Sequence, residues 1–136
     1  MKFHDIPYQR INLDVMKKQA DAITADLKNS KNYEEAKQAF LHWQEFSGRV
    51  RTASSIANTR NNINTADEFY AQEKAFYNEK SPVIQEYEQA FLQVVYDSRF
   101  KKELEKDWAP YFLKISKLHC VRFHLKLSLF CSRKMN

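Results

Sequence analysis

The side chains able to carry chemistry in this chain are few, and their spacing serves chemistry poorly. There are four histidines, His4, His42, His119 and His124. A helix converges two imidazoles on zinc when they stand four apart with a base between them, as in His-Glu-x-x-His, and no pair here has that spacing. His119, Cys120, His124 and Cys131 supply four ligand types, yet their order fits no zinc knuckle or finger, and no metal is assigned to them. His42 sits beside Trp43 and three residues before Glu45, a setting for a surface ion pair or a partly buried histidine rather than for catalysis. No serine lies in a Gly-x-Ser-x-Gly turn, and with Gly48 as the single glycine no phosphate loop can form. Asp67, Glu68, Glu73 and Glu79 can share one helix, but paired acids on a helix face are ordinarily solvated. No catalytic residue, no cofactor-binding residue and no metal ligand is therefore expected.

The elements that would position such groups are helices. From Leu13 to Lys28, Val15/Met16, Ala20, Ile23 and Leu27 recur every three or four residues between charged positions, an amphipathic stripe. Asn32 with Glu35 has the cap-and-acid spacing that opens a second helix, in which Ala36, Phe40, Trp43, Ser47, Val50, Ser54 and Ala57 keep the 3.6 period. Carried to about Arg60 it spans about 42 Å at 1.5 Å per residue, with Gly48 as a weak point. Its second half, Thr52 to Thr59, is small and polar, which suits a close helix crossing or a solvated face better than a ligand surface.

A third helix is expected to start at Thr65, whose hydroxyl and Glu68 make a capping box. Phe69-Tyr70 and Phe76-Tyr77 repeat seven residues apart on one face, with Phe69 and Phe76 expected inside and the tyrosine hydroxyls free to reach a wet cavity. Ser81-Pro82 supplies an N-cap with proline at the first helical position, so a corner and a fourth helix to about Tyr96 are expected there. Ser98 is the expected cap of a further helix through Lys101, Leu104 and Trp108, which Pro110 ends or restarts before Tyr111. The fold class is all-α, an antiparallel array of about five to six helices with an atypical C-terminal tail. In that tail Val121, Phe123, Leu125, Leu127 and Leu129 alternate at a strand period with no partner strand. The open readings are a disordered or aggregation-prone tail, a poorly patterned helix, or residues foreign to the fold such as an out-of-frame read.

The 136 residues suffice for one core-bearing domain, and 43% hydrophobic content fits a folded chain. The net charge of +5 belongs to the tail: residues 108–136 hold six Lys+Arg and no acid, whereas residues 1–107 hold 16 Lys+Arg against all 17 Asp+Glu. A nucleic-acid binder carries its basic stripe on the folded body, and the body offers only Arg49, Arg51 and Arg60 in an acid-free window, so no nucleic-acid partner is expected. No apolar run approaches a membrane span and no signal peptide opens the chain, which places it in the cytoplasm with no membrane partner.

Taken together, these segments resemble the N-terminal region of the oligoendopeptidase F group of thimet-oligopeptidase-like zinc metallopeptidases. The likeness begins at Met1-Lys-Phe-His-Asp, runs through the long helix ending in Ala53 to Arg60, and is sharpest at Asn64-Thr-Ala-Asp-Glu-Phe-Tyr-Ala-Gln-Glu-Lys-Ala-Phe-Tyr-Asn-Glu, Pro82 and Asp97-Ser-Arg-Phe-Lys-Lys-Glu-Leu-Glu-Lys. It implies a helical domain, residues 1–118, forming one wall of a channel in which oligopeptides are cleaved. The family's His-Glu-x-x-His helix and zinc lie in a downstream part that this chain lacks, so the expected partners are oligopeptides and the missing catalytic domain of a full-length parent. The chain itself is expected to be an inert N-terminal fragment with no cofactor of its own and a tendency to self-associate. The alternative is a free-standing helical module that binds a protein or peptide. Residues 119–136 form an anomalous basic, cysteine-containing tail of the kind a frameshift or truncation produces.

Overall fold

Asn12 begins the first helix because its Oδ1 accepts from the amides of Asp14 and Val15, at 3.0 and 3.2 Å, satisfying two donors that no helical carbonyl can reach. The computed structural model describes residues 5–108, and α1 runs from Leu13 to Lys28 as the stripe predicts. Met16, Ala20 and Leu27 are buried on it, while Val15 is 50% exposed and stands off the apolar face. Asn32 then caps α2, Tyr33–Ile63, by accepting from the Glu35 amide at 3.0 Å. Glu35 reaches back one residue further than a standard capping box, taking the Lys31 amide at 2.8 Å.

At 31 residues α2 is about 46 Å long and continues unbroken past Gly48. A Cβ built at Gly48 meets nothing within 4 Å. Gly48→Ala should therefore raise the unfolding free energy by about 1 kcal/mol, the helix-propensity difference, measured as a higher urea midpoint. A lower midpoint would show that the site demands glycine. In the small, polar second half of α2, Ile56 and Ala57 are buried and Asn58 donates to the Ser54 carbonyl at 2.9 Å, so this stretch is ordinary packing beside a solvated face.

The next helix departs from the sequence expectation twice. Its cap is Asp67 rather than Thr65: the Asp67 carboxylate accepts from the amides of Phe69 and Tyr70 at 3.0 and 3.3 Å, and α3 starts at Glu68. It then runs unbroken to Asp97 with Pro82 inside it, so no corner forms at Ser81-Pro82 and the expected third and fourth helices are one. Proline lacks the amide that would reach the Asn78 carbonyl, but Asn78 and Pro82 are both exposed, where water can take that carbonyl. A short α4, Lys101–Asp107, follows. Ser98 stands two residues before its cap position, Phe100, and accepts from the Phe100 amide at 3.1 Å.

The described residues thus hold four helices and no strand, fewer than the five to six expected. Pro110, Cys120, Cys131 and the alternating segment Val121 to Leu129 lie outside the described residues. α1, α2 and α3 pack pairwise, and the four-residue connections 29–32 and 64–67 turn each helix back along the one before it. The core is drawn from all four: Met16, Ala20 and Leu27; Phe40, Trp43, Phe46 and Val50; Phe91 and Val95; Leu104. At its centre the Trp43 and Phe91 rings stack at 4.2 Å and 6°.

Candidate functional site

Heptad spacing puts Tyr70 and Tyr77 on one face of α3, with Glu73 between them. Residues 5–11, which precede α1, lie against that face. The Tyr8 hydroxyl donates to Glu73 Oε2 at 2.5 Å. Arg10 donates through Nε to both carboxylate oxygens, at 3.1 and 2.9 Å, and through Nη2 to Oε1 at 2.5 Å. The Arg10 guanidinium also lies 4.4 Å from the Phe76 ring centroid, and the Ile11 amide donates to the Tyr77 hydroxyl at 3.4 Å. From α2, Arg60 donates to the Tyr70 hydroxyl at 2.7 Å and to the Ile6 carbonyl at 2.6 Å. Tyr8 meets Tyr70 edge-on at 5.7 Å.

The charges are arranged unequally. The Glu73 side chain is 5% exposed and that of Arg10 46%. Hydrogen bonding from Arg10 holds the Glu73 carboxyl below the usual carboxylate range, against the opposing effect of burial and with help from Tyr8. Burial, then the bond to Glu73, pushes the Tyr8 hydroxyl well above the ordinary phenol value. Near neutral pH the cluster is therefore a carboxylate, a guanidinium and a neutral hydroxyl. Three donors, with the Arg10 Nε–H shared between both oxygens, engage the carboxylate on each of its oxygens. A base so occupied, with its proton affinity lowered, is badly placed to take a proton from a substrate. The geometry fastens residues 5–11 to α3.

A second fastening joins the other end of the bundle. The Tyr33 hydroxyl donates to Asp107 and is pushed up to about 12 by burial and then by that bond. Arg99 donates to the carbonyls of Ser30 and Lys31 at 3.2 and 2.6 Å, tying the α3–α4 junction to the α1–α2 connection. Beside it an open groove of about 600 Å³ is lined by Leu27, Val94, Arg99 and Phe100 among others.

Of the acids weighed from the sequence, Asp67 is a helix cap, Glu68 is exposed, and Glu79, 73% exposed, pairs with Lys80 at 3.0 Å. Only Glu73 is buried, and sequence reasoning passed over it as one solvated acid among four. The signal for it was its place midway between two tyrosines on one helix face. The phenylalanine expectation is reversed as well: Phe69 is 55% exposed and Phe76 half-buried, whereas Tyr77 is 3% exposed and Tyr70 half-buried. The tyrosines turn inward because their hydroxyls find donors there, Ile11 and Arg60. His42 is exposed on α2; His4, His119 and His124 lie outside the described residues.

Among the described residues no three His, Cys, Asp or Glu side chains stand where a metal ion could be held, so these residues do not fit a zinc site. Nor is any described helix long and apolar enough to cross a membrane. The peptidase M3 N-terminal domain family matches residues 3–123. Among solved structures the chain is similar to one assigned as an oligoendopeptidase F from Bacillus anthracis str. Ames, with 28% identity and a TM-score of 0.85 over 88% of this chain and 22% of the other. PZ peptidase A with inhibitor 2 shares the fold at 24% identity and TM-score 0.84, over 88% of this chain and 21% of that one. A further oligoendopeptidase F structure shares it at 22% identity and TM-score 0.85, with the same coverages of 88% and 21%. No curated protein matches, and the chain spans about one fifth of the length of these solved relatives. With the family match covering residues 3–123, the chain belongs to the peptidase M3 N-terminal domain family.

Proposed function

We propose that residues 1–118 act as the helical N-terminal domain of an oligopeptide-cleaving zinc peptidase of the oligoendopeptidase F type, working in the cytoplasm as one wall of the channel that encloses the peptide, and that the chain alone hydrolyses nothing. The observation that carries this is the fold shared with oligoendopeptidase F structures over 88% of the chain, at TM-scores of 0.85. The described side chains supply scaffolding in keeping with that role: the buried carboxylate is fully engaged by Arg10 and Tyr8, and the aromatic rings at the centre stack on one another. Zinc, which would activate water in a full-length parent, has no ligand set among the described residues, so no step of hydrolysis is derived through it.

The test is direct. The purified chain, incubated with a quenched fluorogenic oligopeptide and added zinc, is expected to give no chelator-sensitive turnover. Turnover that a chelator abolishes would overturn the inert-domain reading. Ile63 and Phe69, 73% and 55% exposed at the α2–α3 end, also suit a free-standing helical module that takes a partner protein or peptide there.

A further inference from the structure

Residues 5–11 are attached in an unusual way. None of them is buried: Asp5, Pro7, Gln9 and Arg10 are exposed, and Ile6, Tyr8 and Ile11 half-buried. The core is built from the helices, and of this segment only Ile11 packs against it. Its hydrogen bonds converge on few side chains, and ring contacts of Tyr8 with Tyr70 and of Arg10 with Phe76 lie on the same face. Tyr8 and Arg10, two residues apart, share the single carboxylate of Glu73. Arg60 holds the Ile6 carbonyl and Tyr77 the Ile11 amide.

The geometry points to a latch: residues 5–11 lift from α3 as one unit, with Glu73 as the catch, and uncover the Tyr70, Glu73, Phe76 and Tyr77 face while the helices stay folded. Two features favour a single step. Tyr8 and Arg10 hydrogen-bond to one carboxylate between them, so losing it leaves them only their ring contacts on the same α3 face, Tyr8 with Tyr70 and Arg10 with Phe76. Lifting the segment also leaves the central core cluster on the helices in place and gives up burial only at its edge, at Ile11 and Tyr77. Desolvation does not trap the closed state either. Arg10 is already half in water, and residues 8 and 10 are what cover Glu73, so both charges regain solvent on opening.

Trypsin reads this motion at one bond. Cleavage after Arg10 requires its guanidinium to enter the protease pocket, which it cannot do while held by Glu73; the rate then follows the population of the open form. In the full chain, with products identified by mass spectrometry, Glu73→Gln should speed cleavage between Arg10 and Ile11 about tenfold or more. In parent and variant alike the rate after Arg10 should change little with low urea, because lifting the segment exposes little surface, whereas the rate after Arg49, inside α2, should climb steeply with it; the helical circular dichroism should stay as in the parent. An unchanged rate after Arg10 in the variant, or an Arg10 rate as steep in urea as the Arg49 rate, would overturn the latch. Should Glu73→Gln not fold, Tyr8→Phe removes one bond without touching the charge pair. It should raise the Arg10 rate by a few-fold, about half the free-energy effect, with the same weak urea dependence, and no change, or an Arg10 rate as steep in urea as the Arg49 rate, would again refute the idea.

Discussion

Phe91→Ala is expected to lower the unfolding free energy by about 3–5 kcal/mol. Phe91 is 0% exposed and packs against two aromatic rings. Its ring stacks on Trp43 at 4.2 Å and lies 6.1 Å from Phe40, which in turn packs on Trp108 at 5.2 Å. Alanine would remove the burial of the ring and leave a cavity between α2 and α3 that two long helices, fixed along their length, cannot collapse to fill. Urea unfolding followed by circular dichroism measures the loss. Phe91→Leu, which keeps most of the volume, should cost about 1.5 kcal/mol or less. If alanine cost under about 1 kcal/mol, the stack would not be the centre of the core.

Much of this core was open to sequence reasoning, because its signals are periodic. Met16, Ala20 and Leu27 on α1 and Ala36, Phe40, Trp43, Val50 and Ala57 on α2 were all placed by the 3.6 period, and all are buried. Asn32 marks the start of α2 through its spacing to Glu35, and the cap forms there. The errors arose where one local signal has two physical outcomes. Ser-Pro reads as a cap with proline in the first turn, yet a proline whose unpaired carbonyl faces water can also ride inside a long helix, as Pro82 does. Thr65 and Asp67 both offer cap oxygens within three residues. The carboxylate won, and its negative charge at a helix N-terminus is the better-stabilised choice.

The fastening at Glu73 was illegible for a different reason. Its partners Tyr8 and Arg10 stand 65 and 63 residues away, in a segment with no periodic pattern of its own. Local sequence shows an acid on a helix between aromatics; what converts it from a solvated charge to a buried one is the path of the chain before α1. The inversion of the aromatic pairs has the same origin. Apolarity alone ranks phenylalanine as the inward residue, whereas the hydroxyl bonds of Tyr70 and Tyr77 with Arg60 and Ile11 reverse that order.

Glu73 also gives the chain a definite acid dependence. Its folded-state proton affinity is lowered, first by the Arg10 bonds, so its contribution to stability is present above the unfolded carboxylate value, about 4.3, and is lost as pH falls below that value and through the folded one. Tyr8 and Tyr33 are shifted upward, so their contributions are present below about 10 and are lost as pH rises above it. Stability should consequently be level between the two limits and fall on either side. At pH 7, Glu73→Gln should cost about 2 kcal/mol; hydrogen bonds to charged groups contribute about 1.5–3 kcal/mol, and Arg10, half in water, recovers part of its hydration when the charge opposite it is removed. Other carboxylates titrate in parent and variant alike, so the difference between the two urea stabilities isolates Glu73. That difference should shrink as the pH is lowered from 5 past the unfolded carboxylate value, about 4.3, and toward zero through the folded one. A difference that stayed constant across this range would mean that Glu73 acts through shape alone, and that the carboxylate charge is not what holds residues 5–11 to α3.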